Sequence, residues 1–424
     1  MRNTAQPPNE QRGSILALFT VSLAALFLMT SMAVDLGISY VASSGLTKAV
    51  DAGALAGAFN TGKGTVAMRQ IIDSVARANL AFSDTPINAS FSVNIDSPST
   101  DTVRVRVSGR TQAPTLFSRI IGTTEISVDH MAEATRYPLD LSLVLDISGS
   151  LVSARVFDDM QEASKRFVNA FDDRIDRVGM VSYMTIAQEL MPLQKQFKAT
   201  GTNIINRLRG GGWTNMDDGL RLAKQQMDNA PQRTTSLKIV VLFTDGRPTA
   251  FTDSLWMDEG TNNCQGMRNV GDGDGDGIPH CYVGAVSLNR RLYEIGAGRR
   301  VIGWSRGGSI RLAPPYTRSP MPIRLPDGRR VSNANITAVS IAQTEEWATA
   351  IRSAGYTIYA VALGNPYASP QSQPDLALLR RLSNERGQVS ASQPEGEMLF
   401  APSAAELEGV FAKLASRILT RLTQ

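Results

Sequence analysis

Two apolar runs that each end in an acidic residue constrain this chain more than any other feature. LSLVLD at 141–146 is nearly continuous in apolar character, the pattern of a strand buried on both faces of a sheet. LKIVVLFTD at 237–245 is a second and stronger run of that kind. Between and after them the pattern alternates. It predicts a helix over 154–171, the strand RVGMVSYM, a shorter strand near 187–194, and helices near 201–209 and 216–228. Beyond an interruption it predicts a helix over 339–354, the strand TIYAVALG, a helix over 375–385, a short strand near 397–400 and a last helix over 404–421. Strands alternating with helices predict an α/β fold, doubly wound, with a mostly parallel sheet and helices on both faces. Such sheets bind ligands beyond the carboxyl ends of their strands, where Asp146 and Asp245 fall.

The N-terminus has a different character. Ser14 to Val34 is a run of 21 residues without a charge, and a helix crossing a bilayer needs about 20 at 1.5 Å each. A cleaved signal peptide is the alternative, but its apolar core is shorter, about 7–15 residues, and here the helical pattern continues past the run. Arg2 and Arg12 precede the span and Asp35 is the first charge after it. The positive-inside rule therefore predicts a cytoplasmic tail at 1–13, a transmembrane helix at 14–34 and an extracytoplasmic remainder. Ala-rich helix is expected from Asp35 to about Phe82. ASFSVNI and DTVRVRVSG then alternate at period two as half-buried strands of a small α+β module ending near 138.

Three segments supply a cluster of hard oxygen donors. DISGS places Asp146, Ser148 and Ser150 at i, i+2 and i+4 directly after a buried strand. Thr214 lies in a glycine-rich loop, GGGWTNMDDGL, and Asp245 ends the strongest strand. Two carboxylates and three hydroxyls suit Mg²⁺ or Mn²⁺ and leave a coordination position for an incoming Asp or Glu carboxylate. DISGS taken alone also fits a plain N-cap turn. With His130 and His280 as the only histidines, and no second metal cluster or nucleophile elbow in sight, a metal-dependent hydrolase is disfavoured.

The set Asp146, Ser148, Ser150, Thr214 and Asp245 resembles the metal-ion-dependent adhesion site of von Willebrand factor type A domains, and the resemblance covers about residues 139–424. It implies that Ser148, Ser150 and Thr214 touch the metal directly while Asp146 and Asp245 act largely through water. The N-terminal segment is similar to the Tad (tight adherence) pilus-assembly family. The shared features are Gly13 before the span, the exit Asp35-Leu36-Gly37, the following Tyr40 and the Ala-rich helix around Asp51. TLFSRIIGTTEISVDHMAEA is also similar to that family's extracytoplasmic strands. Leu18 stands where a processed type IV pilin carries Glu, which argues against pilin-type cleavage. An anchor joined to a von Willebrand type A domain resembles the TadG-like branch. It implies a single-pass protein of the bacterial inner membrane whose bulk is periplasmic, gripping another component of the pilus machine. An adhesin that meets external ligands directly is the alternative.

Residues 250 to about 335 interrupt the α/β alternation and are expected to rim the Asp245 end of the sheet. Within them Asp272, Asp274 and Asp276 have calcium-loop spacing, but Val283 stands at the twelfth position, where an EF-hand carries Glu. A looser Ca²⁺ loop and a solvated acidic turn both fit. Outside the cytoplasm Cys264 and Cys281 are expected to pair; two free buried thiols are the alternative. Arg290 to Arg330 contains ten arginines against Glu294 and Asp327, with prolines predicting irregular chain. This stretch reads as a solvated surface or as a contact for an anionic envelope polymer or an acidic protein face. A net charge of +4 does not point to a nucleic-acid binder.

Overall fold

The computed structural model describes residues 12–81, 88–99, 101–253, 255–258, 269–271, 280–283, 294–295, 299–303, 321–322, 333–364 and 373–423. They fall into two compact units, one running through Arg136 and including Thr423, the other spanning Tyr137–Leu422.

In the first unit, helix α1 (Arg12–Phe59) is long and apolar enough from Leu18 onward to cross a membrane. Leu18, Phe19, Leu26, Phe27 and Met29 are all exposed along its first half. Its second half is buried along one stripe, through Leu46, Val50, Ala54 and Ala58. The unbroken helix expected to about Phe82 is instead two helices. The chain leaves α1 at Asn60, whose side-chain amide donates to Ala56 O at 2.8 Å. It reverses through Gly64, at φ 83°, and enters α2 (Thr65–Ala81). The reversal lets Met68 and Ile72 of α2 join Val50, Ala54 and Ala58 in one core, so helical propensity yields to packing. Strands β1 (Ala89–Asp96), β2 (Val103–Pro114) and β3 (Glu125–Arg136) form an antiparallel sheet in that order. Val105, Val107, Ala132 and Ala134 of this sheet close the core against the helices, and alternate residues stay wetter, as the period-two pattern requires.

The second unit is built on a six-stranded sheet. Its strands are β4 (Leu139–Asp146), β5 (Arg177–Tyr183), β6 (Ala187–Gln194), β7 (Leu237–Thr244), β15 (Thr357–Leu363) and β16 (Glu397–Ala401). Their spatial order is β16-β15-β7-β4-β5-β6, parallel except for β6. One face packs Leu141, Leu143, Leu145, Val241 and Phe243 against α3 (Gly149–Ser153), α4 (Phe157–Asn169), α5 (Phe197–Arg207) and α9 (Ala404–Leu422). The other packs Val144, Val240, Leu242, Ile358 and Ala360 against α6 (Met216–Asn229), α7 (Asn333–Ser353) and α8 (Leu376–Leu382). Both faces of β4 and β7 are therefore apolar, which explains why their sequences run without polar alternation.

The chain winds from β4 outward through β5 to β6, then crosses back to β7 on the other side of β4 and continues to β15 and β16. The switch point lies between the carboxyl ends of β4 and β7. The opposite edge is fastened by Asp140, at 1% exposure. Arg177 grips its carboxylate through two bonds of 2.8 and 2.7 Å, Ser236 donates at 2.7 Å, and Arg233 adds a further bond. Burial pushes the Asp140 carboxyl up, but these partners outweigh it and hold the group below the usual carboxylate range. Asp140→Ala leaves Arg177 uncompensated and is expected to cost about 3–5 kcal/mol in urea unfolding. Cation binding at the far edge should survive it.

Between β7 and α7, the described residues of the insertion contain short strands, the last three of them within 290–330, where irregular chain was expected. They are β8 (Ala250–Asp253), β9 (Leu255–Asp258), β10 (Asn269–Gly271), β11 (His280–Val283), β12 (Glu294–Ile295), β13 (Arg299–Gly303) and β14 (Met321–Pro322). They pair antiparallel in two sets, β10-β11-β9-β14 and β12-β13-β8. Even Pro322 is accommodated in pairing with Met257, on a two-residue strand at the border of its set.

Candidate metal centre

Asp146 is the last residue of β4 and is fully buried. Its Oδ1 accepts the backbone N–H of Ser148 at 2.8 Å and its Oδ2 accepts the Thr244 hydroxyl at 2.7 Å. Both bonds fix the carboxylate, and the first folds DISGS into a tight turn. Ser148 then occupies the N-cap position of α3, yet its hydroxyl makes no capping bond. It lies 3.0 Å from Ser150 Oγ instead. An N-cap turn does not account for that orientation. Ser150 Oγ in turn donates to Asp245 Oδ1 at 2.7 Å.

Thr214 is brought to the same place by its loop. Gly149 N donates to Gly212 O at 3.1 Å and Gly211 N to Ile147 O at 2.8 Å, tying the two loops together. A Cβ built on Gly246 would lie 3.7 Å from Thr214 Oγ1 and 4.0 Å from Ser150 Oγ. The missing side chain of Gly246 thus leaves open a small cradle walled by hydroxyls. All five residues singled out in the sequence meet at the switch point, with Ser148, Thr214 and Asp245 buried and Ser150 exposed at the mouth.

The electrostatics of the cradle favour a cation. Burial pushes the Asp245 carboxyl up to about 7, and the adjacent Asp146 charge adds to the shift. Burial likewise raises the Asp146 carboxyl, although Ser148, Thr244 and Tyr183 pull the other way. The hydrogen-bond partners of both carboxylates are neutral groups. Among the described residues no three His, Cys, Asp or Glu side chains form a metal cluster, and the oxygen donors beside the two carboxylates are hydroxyls. Two carboxylates with three hydroxyls fit a hard divalent ion.

Several supporting residues went unread in the sequence. Thr244 orients Asp146, and the visible signal was a hydroxyl residue directly before Asp245. Thr249 accepts the N–H of Thr214 through Oγ1 at 3.0 Å and returns its own N–H to Thr214 O at 2.9 Å. Asn215 donates to Thr185 O and to Thr252 Oγ1, both at 2.9 Å. The root of the insertion, Thr249 to Thr252, therefore pins the Thr214 loop, a tertiary pairing that carries no local sequence signal. Asp272, Asp274, Asp276 and Cys264 lie outside the described residues. Cys281 is described only as backbone, paired with Met257 and Val270.

Residues 140–265 match the family model of the von Willebrand factor type A domain. With the parallel sheet and its covering helices, the match defines the second unit as a domain of that class. The chain is also similar to solved structures. The PilB minor pilin from Streptococcus sanguinis is 16% identical over 79% of each chain, with a TM-score of 0.40. The vWF domain of the type V pili tip protein Mfa5 from Porphyromonas gingivalis is 16% identical over 68% of this chain and 97% of that one, at 0.41. Proximal thread matrix protein 1 from the mussel byssus, with a zinc-occupied MIDAS motif, is 13% identical over 68% and 46%, at 0.36. No curated protein matches the sequence.

Proposed function

We propose that this chain is a membrane-anchored pilus-assembly or adhesion protein that holds a protein partner through a metal-ion-dependent adhesion site, and that it is not an enzyme. Ser148, Ser150 and Thr214 would hold Mg²⁺ or Mn²⁺ directly, with Asp146 and Asp245 behind them. The bound ion would supply an electrophilic position for an Asp or Glu carboxylate of the partner. The observation that carries this reading is the Ser148 hydroxyl, released from capping and turned toward Ser150, whose own hydroxyl reaches Asp245 beside the Gly246 cradle. The apolar half of α1 supports a single-pass anchor over 14–34. The tight-adherence resemblance of that segment supports the inner membrane, a periplasmic second unit and a partner from the pilus machine.

Capture of partners from envelope extract by the full chain in detergent tests the proposal. Capture is expected to depend on Mg²⁺, to vanish with chelator, and to drop at least about tenfold in Thr214→Ala, the loss of a contact worth about 1.4 kcal/mol or more. Equal capture by Thr214→Ala and wild type, with and without chelator, would sink it. Recovery of the protein at a pilus tip, and not with the inner membrane, would favour the direct adhesin.

A further inference from the structure

The first unit carries an exposed apolar loop at a telling height. The loop joining β2 to β3 presents Leu116 at 59%, Phe117 at 44% and Ile120 at 83% exposure, with Arg119 also exposed between them. It does not wander. Asp35, itself 2% exposed, accepts the N–H groups of Leu116 at 2.7 Å and Ser118 at 2.7 Å, that of Phe117 at 3.2 Å, and the Ser118 hydroxyl at 2.6 Å. Asp35 is the first residue after the charge-free run of α1.

The sheet's direction enforces this placement. Val105 lies against Gly57 of α1, and Gly109 further along β2 lies against Leu46 and Val50. Strand β2 therefore runs back along α1 toward its apolar half. From Gly57 to Asp35 the helix spans about 33 Å, and eleven strand residues from Val105 to Leu116 span about 36 Å. The two distances match, so the hairpin ends level with the exit of the apolar run.

We infer that the 116–120 loop is a second membrane contact, dipping Leu116, Phe117 and Ile120 into the phospholipid interface while Arg119 meets the headgroup phosphates. The interfacial layer on each side of the hydrocarbon is roughly 5–8 Å deep, enough for these side chains. A bare apolar cluster beside a membrane-spanning helix is stabilised there as an amphipathic helix would be. The loop would fix the tilt and rotation of the small sheet on the bilayer, a task that a single helix performs poorly. This inference rests on reading α1 as a retained anchor.

Photolabelling separates the two. The full chain is reconstituted in phosphatidylcholine–phosphatidylglycerol vesicles doped with a lipid bearing a carbene precursor at the glycerol level, and adducts are mapped by mass spectrometry. Adducts are expected on 116–120 and on α1 just before Asp35. The variant Leu116→Ser/Phe117→Ser/Ile120→Ser changes only exposed side chains, so it should keep its circular dichroism spectrum and its α1 adducts while losing those on the loop. Adducts on α1 alone in the wild type would overturn the loop contact and leave the anchor standing. Absence of adducts from both segments would overturn the anchor and the loop contact together.

Discussion

At about pH 8, a hundredfold excess of Mg²⁺ over its dissociation constant is expected to raise the unfolding free energy of the second unit by about 3 kcal/mol. At about pH 5 the gain should be much smaller. The sign follows from Asp245. Its carboxyl titrates at about 7 in the folded chain against an ordinary value of 3.8. The folded state keeps a proton that the unfolded chain releases, so the contribution of Asp245 to cation-free stability is fully present below about pH 4 and is lost as pH rises through about 7. The cost at alkaline pH is of the order of a few kcal/mol. A divalent ion competes with that proton and removes the penalty where both carboxylates are ionised. Urea unfolding with Mg²⁺ or chelator across pH 4–9 measures it. A cation-free stability that climbs between pH 4 and 7, or an equal Mg²⁺ gain throughout, would contradict the assignment.

Asp245→Asn is expected to act in opposite directions on stability and binding. The amide removes the buried charge that Asp146 repels, while Asn can still accept the Ser150 hydroxyl that now reaches Asp245 at 2.7 Å. The cation-free variant should therefore be more stable than wild type at about pH 8, by of the order of 1–3 kcal/mol, and indistinguishable at about pH 4. Its stabilisation by Mg²⁺ and its metal-dependent capture of partners should both disappear. A site strained for function commonly shows this exchange of activity for stability. Destabilisation at every pH would instead make Asp245 an ordinary structural carboxylate. Asp146→Asn is not equivalent, because Asp146 also fastens Ser148 N and Thr244 Oγ1.

Much of this was legible in the residues. LSLVLD and LKIVVLFTD forced two strands covered on both faces, and their terminal aspartates had to emerge at one edge of a parallel sheet. Helices α6 and α9 and strand β15 fall within a residue or two of their expected bounds, because each carries a strong apolar period. Helix α1 did not end as its composition suggested. Nothing local in an Ala-rich segment says that Met68 and Ile72 gain more by folding back onto Val50 and Ala54 than by extending the helix. Within 290–330, prolines argued for irregular chain, yet Arg299–Gly303 and Met321–Pro322 find antiparallel partners. Pairing across such distances is decided by neighbours that a window of sequence does not contain.

The aspartates at 146 and 245 therefore divide the credit. Sequence alone determined their chemistry and their position at strand ends, since the hydrophobic pattern sets which residues a buried strand can bring to its terminus. Only the tertiary structure decided that the two ends are adjacent. It crossed the chain from β6 back to β7, laid the Thr214 loop over Gly246, pinned that loop with Thr249, and turned Ser148 away from capping. Thr214 and Thr249 are 35 positions apart, and Asp245 and Thr244 meet Ser150 and Asp146 from 95 and 98 positions away; these contacts exist only because both faces of one sheet were covered at once.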